Sequence, residues 1–246
     1  GEVYSAAFQA EIQICNFIYN KLEDVDNNIQ ECYGDQGLYS ICNYNNKQYS
    51  FKDKKYSEIF KLENIKKYST KIWEILNNIE KCDGIVFIYT TFRSAGLLPI
   101  IFALEMQGYT KYKTSNPVLR SNNKKKKNGK EYVVFAAKGH PLNKYSKKYQ
   151  NKKKNMINEN VKVILGTVAA SEGISFFGIR EIHILEPWHN LNRLEQVIGR
   201  GIRNYSHDML EPKKRNITIY LYAATIRGRE TVDLKFYKRA ENKAIN

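Results

Sequence analysis

Two segments combine residue types that can hold phosphates. The first is Gln196-Val197-Ile198-Gly199-Arg200-Gly201-Ile202-Arg203. On a helix Arg200 and Arg203 are neighbours on one face, and Gln196, four residues before Arg200, shares it. Two guanidiniums beside an amide make a clamp for a phosphate or carboxylate. Gly199 and Gly201 each cost a helix interior roughly 1 kcal/mol against Ala, which implies that something large approaches there. The second segment runs from Gly166 through Thr167, Glu172 and Gly173 to Ser175. Its small residues let a backbone approach a ligand, and Thr167 offers a hydroxyl and an N–H. A solvent-facing arginine pair is the plain alternative for the first segment.

These residues must be carried by a scaffold, and the hydrophobic rhythm predicts one. Apolar residues from Phe8 to Leu22 recur at helical spacing over 6–22. Residues 39–44 and 48–51 read as a hairpin turning at Asn45-Asn46-Lys47. Residues 69–80 read as a helix capped by Ser69. From Gly84 on, strands alternate with helices: strands at 85–89, 132–136, 161–166, 182–185 and 217–223, and helices at 95–107, 190–203 and 229–243. Gly108 closes the first of these helices. That order predicts an α/β fold, a mostly parallel sheet with helices on both faces. Sites in such sheets lie at the carboxyl ends of the strands, where Thr90, Thr91, Gly166 and Thr167 all fall. Thr90 reads equally well as a strand-end cap.

Charge is distributed unevenly. The chain has 246 residues, 40 Lys or Arg and 25 Asp or Glu, for a net +15. Residues 111–154 hold fifteen Lys or Arg and one acid, Glu131, so this stretch alone carries +14 and leaves about +1 for the rest. Basic clusters contact phosphates; the alternative is a solvated loop in a chain with 30 Lys against 10 Arg. The stretch 111–130 reads as a long loop. Within 145–154 a helix would present Lys147 and Lys148 in a fixed array, a candidate nucleic-acid contact.

Other classes are set aside. Apolar runs fall far short of the roughly 20 residues of a membrane span, so no membrane partner is expected. The start is not a signal peptide; it begins at Gly1, which suggests a fragment. Cys15, Cys32, Cys42 and Cys82 lack metal-ligand spacing and read as reduced thiols, and no metal site is expected. His183, alternating within an apolar strand, and His189, following Pro187, read as structural. A methyltransferase is disfavoured, because Thr90-Thr91-Phe92-Arg93 stands where a GxG loop would be.

Taken in this order, the segments resemble the C-terminal RecA-like lobe of superfamily 2 helicases and translocating ATPases. Gly84 to Tyr89 with the following helix looks like motif IV, Gly166 to Ser175 like motif V and Gln196 to Arg203 like motif VI. The wording IHILEPWHNLNRLEQVIGRGIRNYSH is similar to the branch found in large cytoplasmic DNA viruses, the poxviral-type nucleoside triphosphatases and early transcription factor helicases. The likeness spans about 68–240. It implies domains at 1–67, a connector or insertion, and 68–246, the helicase lobe with a basic insertion at about 111–154.

The resemblance also implies roles. Arg200 and Arg203 resemble the arginines that reach a triphosphate across the interdomain cleft, with Gln196 organising it. Thr167 matches a hydroxyl that contacts the nucleic-acid backbone, with Gly166 before it, and Thr90 and Thr91 sit where phosphates are touched. Gly173 matches the motif V glycine, and Glu172 falls beside the nucleotide. The chain departs from the pattern at Ser175, where many relatives carry an acid on the ribose, and at Glu172, where they carry Arg.

No GxxxxGK loop followed by Ser or Thr, and no DEAD- or DEAH-type box, occurs in the sequence. ATP and Mg²⁺ would therefore be held mainly by an N-terminal lobe of the same polypeptide, and the isolated chain would not hydrolyse ATP. DNA or RNA and viral transcription machinery are the implied partners. The implied location is cytoplasmic, in the host cytoplasm or the virion. A non-catalytic nucleic-acid-binding module on the same fold is the alternative.

Overall fold

A computed structural model describes residues 6–112, 116–120, 129–136, 160–167, 176–187, 195–196, 198–199 and 206–245. The first helix, α1 (Ala6–Asn16), leads into two short 3-10 turns and α2 (Gly34–Ile41). A hairpin of β1 (Cys42–Asn45) and β2 (Gln48–Phe51) follows, then α3 (Leu62–Ile65) and α4 (Thr70–Lys81). Next come β3 (Ile85–Tyr89), α5 (Leu98–Met106), β4 (Thr110–Lys111), β5 (Glu131–Phe135), β6 (Val161–Gly166), β7 (Ile179–Ile184), β8 (Thr218–Leu221) and α6 (Val232–Ile245).

Six strands form one sheet in the order β4-β5-β6-β3-β7-β8. Every neighbouring pair in it is parallel. The fold is thus the expected α/β, RecA-like arrangement, preceded by a helix and a small antiparallel hairpin.

Strand periodicity divides the core between the two faces. Val86 and Ile88 of β3, Val134 of β5 and Val163 and Leu165 of β6 pack with α4, α5 and the N-terminal segment. Phe87 and Tyr89, Val133 and Phe135, Ile164 and Ile182 point the other way, onto Phe176, with Ile198 partly buried against them. Burial on both faces explains why these strands read as unbroken apolar runs.

Several expected boundaries move. The first helix stops at Asn16 instead of reaching Leu22. Beyond it the backbone donors leave the helical pattern: Ile18 N–H goes to Tyr68 O (3.1 Å) and Tyr19 N–H to Cys32 O (2.7 Å). Phe17 and Tyr19 are thereby both buried in the core, while Leu22 is 45% exposed. Residues 39–41 belong to α2 and not to the hairpin. The turn at Asn46 (φ 51°) and Lys47 (φ 64°) is left-handed as expected of Asn.

Ser69 caps α4, its hydroxyl accepting from Ile72 N–H at 3.0 Å. The helix after β3 opens with one π-type turn, Arg93–Leu97, and ends before Gly108 (φ 91°). The stretch expected to be a loop begins on the last residue of β4, an edge strand on β5, and its residues 118–119 are held by Glu105.

The N-terminal segment shares its core with the sheet: Phe17, Leu38, Tyr49 and Phe60 pack in one cluster with Ile75, Ile88 and Phe102. All four cysteines are free. Among the described residues, no helix is long and apolar enough to cross a membrane and no group of three or more His, Cys, Asp or Glu could hold a metal ion.

Candidate functional site

In a parallel sheet the ligand crevice opens where two neighbouring strands send their connections in opposite directions. The strand order places that point between β3, which connects toward β4, and β7, which connects toward β8. The residues at the carboxyl ends of these two strands are Thr90 and Thr91, and Glu186.

Glu186 occupies this crevice and is 2% exposed. Its carboxylate accepts from Thr90 Oγ1 at 3.2 and 3.0 Å. It also accepts from Thr91 Oγ1 at 2.8 Å, from the Thr91 backbone N–H and from Asn16 Nδ2 at 2.9 Å. Burial pushes its pKa above the ordinary glutamate value, against the pull of the Thr91 N–H, the two hydroxyls and Lys71.

The network continues inward. Lys71 of α4 donates to Asn16 Oδ1 (3.0 Å) and pairs with Asp233 of α6 (2.5 Å). Asp233 in turn accepts from Ala224 N–H at 2.9 Å. Lys71 and Asp233 are both fully buried, at 2% and 0% side-chain exposure. A single polar chain thus ties α1, α4, α6 and the ends of β3 and β7 together.

Gly96 is required at the start of the helix after β3. A Cβ there would lie 2.1 Å from Thr90 Oγ1 and 3.0 Å from Thr90 Cβ. The turn thus packs directly on the Thr90 side chain.

The sequence-predicted residues fall into three groups. Thr90 is fully buried, and its hydroxyl is spent on Glu186 and on turn contacts with Phe92. Thr91 is partly exposed beside it. Gly166 and Thr167 end β6, the strand on the other side of β3: Gly166 O accepts from Thr90 N–H (3.1 Å), and Thr167 N–H donates to Phe135 O (3.0 Å). The structure therefore brings Thr90, Thr91, Gly166 and Thr167 to one edge. Gln196 is exposed on a helical stretch beyond β7. Glu172, Gly173, Arg200, Arg203, Lys147 and Lys148 lie outside the described residues, as does His189.

His183 has a structural role. Its ring nitrogens contact Tyr222 OH (2.8 Å) and Glu181 Oε2 (3.0 Å), and Tyr220 stacks on it at 4.6 Å. The residues that sequence reasoning missed are Glu186, Asn16, Lys71 and Asp233. Glu186 offered one signal, an acid directly after an apolar strand and before Pro187. The other three lie far from it in sequence, and no spacing rule connects them.

The comparisons with known proteins follow the same segments. A family model described as the helicase conserved C-terminal domain matches residues 70–205. Nucleoside triphosphatase I of Melanoplus sanguinipes entomopoxvirus is 32% identical over 199 residues, 79% of this chain and 27% of that protein. A protein of Acanthamoeba polyphaga mimivirus, named as a candidate ATP-dependent RNA helicase, is 33% identical over 162 residues, 65% of this chain and 26% of that one. An African swine fever virus protein named as a homologue of the termination factor NPH-I is 29% identical over 214 residues, 72% of this chain and 30% of that one. The chain thus spans roughly a quarter to a third of the length of these relatives. Among solved structures, the C-terminal part of the Fun30 ATPase domain gives a TM-score of 0.46 over 69% of this chain and 44% of that chain, at 13% identity.

Proposed function

The chain belongs to the helicase conserved C-terminal domain family, and on that premise we propose that it is the second motor lobe of an ATP-dependent nucleic-acid helicase or translocase. The observation that carries this reading is the coincidence of the family match over 70–205 with the carboxyl edge of the sheet, where Thr91 and Thr167 end neighbouring strands. Hydroxyls and backbone N–H groups at strand ends suit phosphate oxygens, which position a strand without reading its bases.

In this reading Thr91, Gly166 and Thr167 contact the nucleic-acid backbone, with Thr90 holding the turn from beneath. Arg200 and Arg203 supply the cations that neutralise charge developing on a transferred phosphoryl group. Gln196, exposed on a helical stretch, has an amide able to join them, and Glu172 and Gly173 would contact the nucleotide. ATP and Mg²⁺ would be held mainly by an N-terminal RecA-like lobe, because the phosphate loop and acidic box are absent from this sequence. A triphosphate fits the residues present only in part: this lobe offers donors and cations but no group of acids for the metal among the described residues.

The relatives' names include a nucleoside triphosphatase and a termination-factor homologue, which supports a partner in viral transcription. Lys147, Lys148 and the rest of the basic stretch at 111–154 would add sequence-independent attraction to the strand. Residues 1–67 would serve as a connector or an insertion that leads into the lobe.

The test is ATP turnover by the full-length polypeptide carrying Arg200→Ala or Arg203→Ala. Each should lower turnover by about 10³- to 10⁵-fold, the range for an arginine acting across a cleft, with a smaller effect on ATP binding. Near-normal turnover in either variant would remove that arginine from the mechanism. Loss of nucleic-acid binding by Thr167→Val with normal turnover in both arginine variants would favour a binding module on the same fold.

A further inference from the structure

Tyr49 meets Arg93 beside this edge, with Tyr44 packed on its ring and Tyr39 nearby. Tyr49 of β2 is buried, and its hydroxyl accepts from Arg93, with Tyr39 of α2 nearby. Tyr44 of β1 lies against the Tyr49 ring at 4.6 Å. Arg93 also sits over the Tyr49 ring, 5.9 Å from its centroid. The outer two rings are open to solvent, Tyr39 at 42% and Tyr44 at 37% exposure.

The cluster is rigidly mounted. Tyr49 N–H donates to Val118 O (2.8 Å) and Tyr49 O accepts from Arg120 N–H (2.6 Å). The buried Glu105 carboxylate fixes that strap by accepting from Val118 N–H (2.8 Å), Leu119 N–H (2.7 Å) and Tyr132 OH (2.6 Å). Tyr49 packs edge-on against Phe102 of α5 at 5.5 Å. Tyr49 thus gives the exposed Tyr44 ring a fixed support.

Cations surround the rings. Lys52 donates to Tyr39 O at 2.6 Å, and Arg120 is exposed on the strap. Arg93 has five N–H donors; Tyr49 OH takes one, and Nε is buried with no partner among the described residues, which leaves only the outer guanidinium N–H groups for a ligand. Asp35 of α2 accepts from Ser94 Oγ on the same side. Arg93 lies two residues beyond Thr91 and so joins the cluster to the end of β3.

We infer that Tyr39 and Tyr44 form a base-stacking step for single-stranded nucleic acid, with Arg93, Lys52 and Arg120 beside them for its phosphates. Aromatic faces within a cationic groove are the combination that binds single strands without sequence preference. The inference rests on the reading of this chain as a nucleic-acid motor lobe. It adds a contact surface built by the segment before α4, which the matched 70–205 region does not contain.

The test is titration of the 246-residue chain against a short fluorescent single strand at several salt concentrations. The double variant Tyr39→Ala/Tyr44→Ala should bind about 30-fold more weakly or worse, from stacking lost at two bases, with an unchanged salt slope. Tyr39→Phe/Tyr44→Phe should retain the affinity, since each keeps its ring. Abasic positions in the strand should weaken binding to the unaltered chain and have little further effect on the Ala double variant. Arg120→Ala should flatten the slope of log affinity against log salt by about 0.7.

Both tyrosines are exposed, so circular dichroism of the Ala variant should match the unaltered chain. Equal affinity in the Ala and unaltered proteins overturns this inference and leaves the motor-lobe reading standing. No binding by the unaltered chain overturns both. A change in oligomeric state with unaltered strand binding assigns the face to contacts between copies and overturns the inference as well.

Discussion

Replacing Lys71 with Met tests whether the buried polar chain holds the lobe together. Met keeps most of the side-chain volume and removes the ammonium. Asp233 Oδ2 would keep only the Ala224 N–H, while Oδ1 already has no partner among the described residues. Asn16 Oδ1 would lose its donor as well. Removing one partner of a buried ion pair costs about 3–5 kcal/mol, because the other charge stays buried and uncompensated. For a domain of this size each kcal/mol shifts Tm by roughly 2–4 °C, so Tm should fall by roughly 6–20 °C. Thermal unfolding by circular dichroism reads this, and urea unfolding supplies the free energy. The double variant Lys71→Met/Asp233→Leu should recover part of the loss, since an apolar pair removes the stranded charge. Ala224 N–H would still lack an acceptor and hold the recovery below complete. A Lys71→Met protein within about 1 kcal/mol of the unaltered chain would refute the reasoning, as would a double variant equal to the sum of its singles.

Gly96→Ala should destabilise by about 1–3 kcal/mol, the usual cost of overpacking, because the new Cβ meets the Thr90 side chain at 2.1 Å; unchanged urea unfolding would show that this turn can shift away freely. Glu186 predicts a pH dependence. Its pKa is raised in the folded chain, so the native state holds the proton more tightly than the unfolded one. Stability is therefore lost as pH rises from the unfolded carboxyl value, about 4.3, through the folded one. Relative to Glu186→Gln, the unaltered chain should be at its best below that window and decline across it; a difference that stays flat with pH would contradict the assignment.

The succession of elements was legible from local pattern. Ile85 to Tyr89 and Val161 to Gly166 are apolar runs of strand length, and the structure makes them β3 and β6 with the same boundaries. Ser69 announced its helix because an N-cap is a contact within four residues. The placement of Thr90, Thr91, Gly166 and Thr167 at one edge followed from the alternation of strands and helices, since parallel connections leave every strand's carboxyl end on the same side.

What escaped the sequence depends on contacts between distant segments. Asn16 ends α1 where its side chain joins Glu186 and Lys71, so the helix stops although the apolar spacing continues to Leu22. Thr90 and Thr91 look alike in sequence, yet the turn carrying Gly96 and the carboxylate of Glu186 bury the first and leave the second partly exposed. Tyr44 and Tyr49 are unremarkable singly, and only the packing of the hairpin on α5 sets the stacked pair beside Arg93. Local physics chose the strands and helices, because period and capping act within a few residues. The tertiary structure decided which polar groups meet in the crevice, because a buried charge finds its partner in space, wherever the chain happens to carry it.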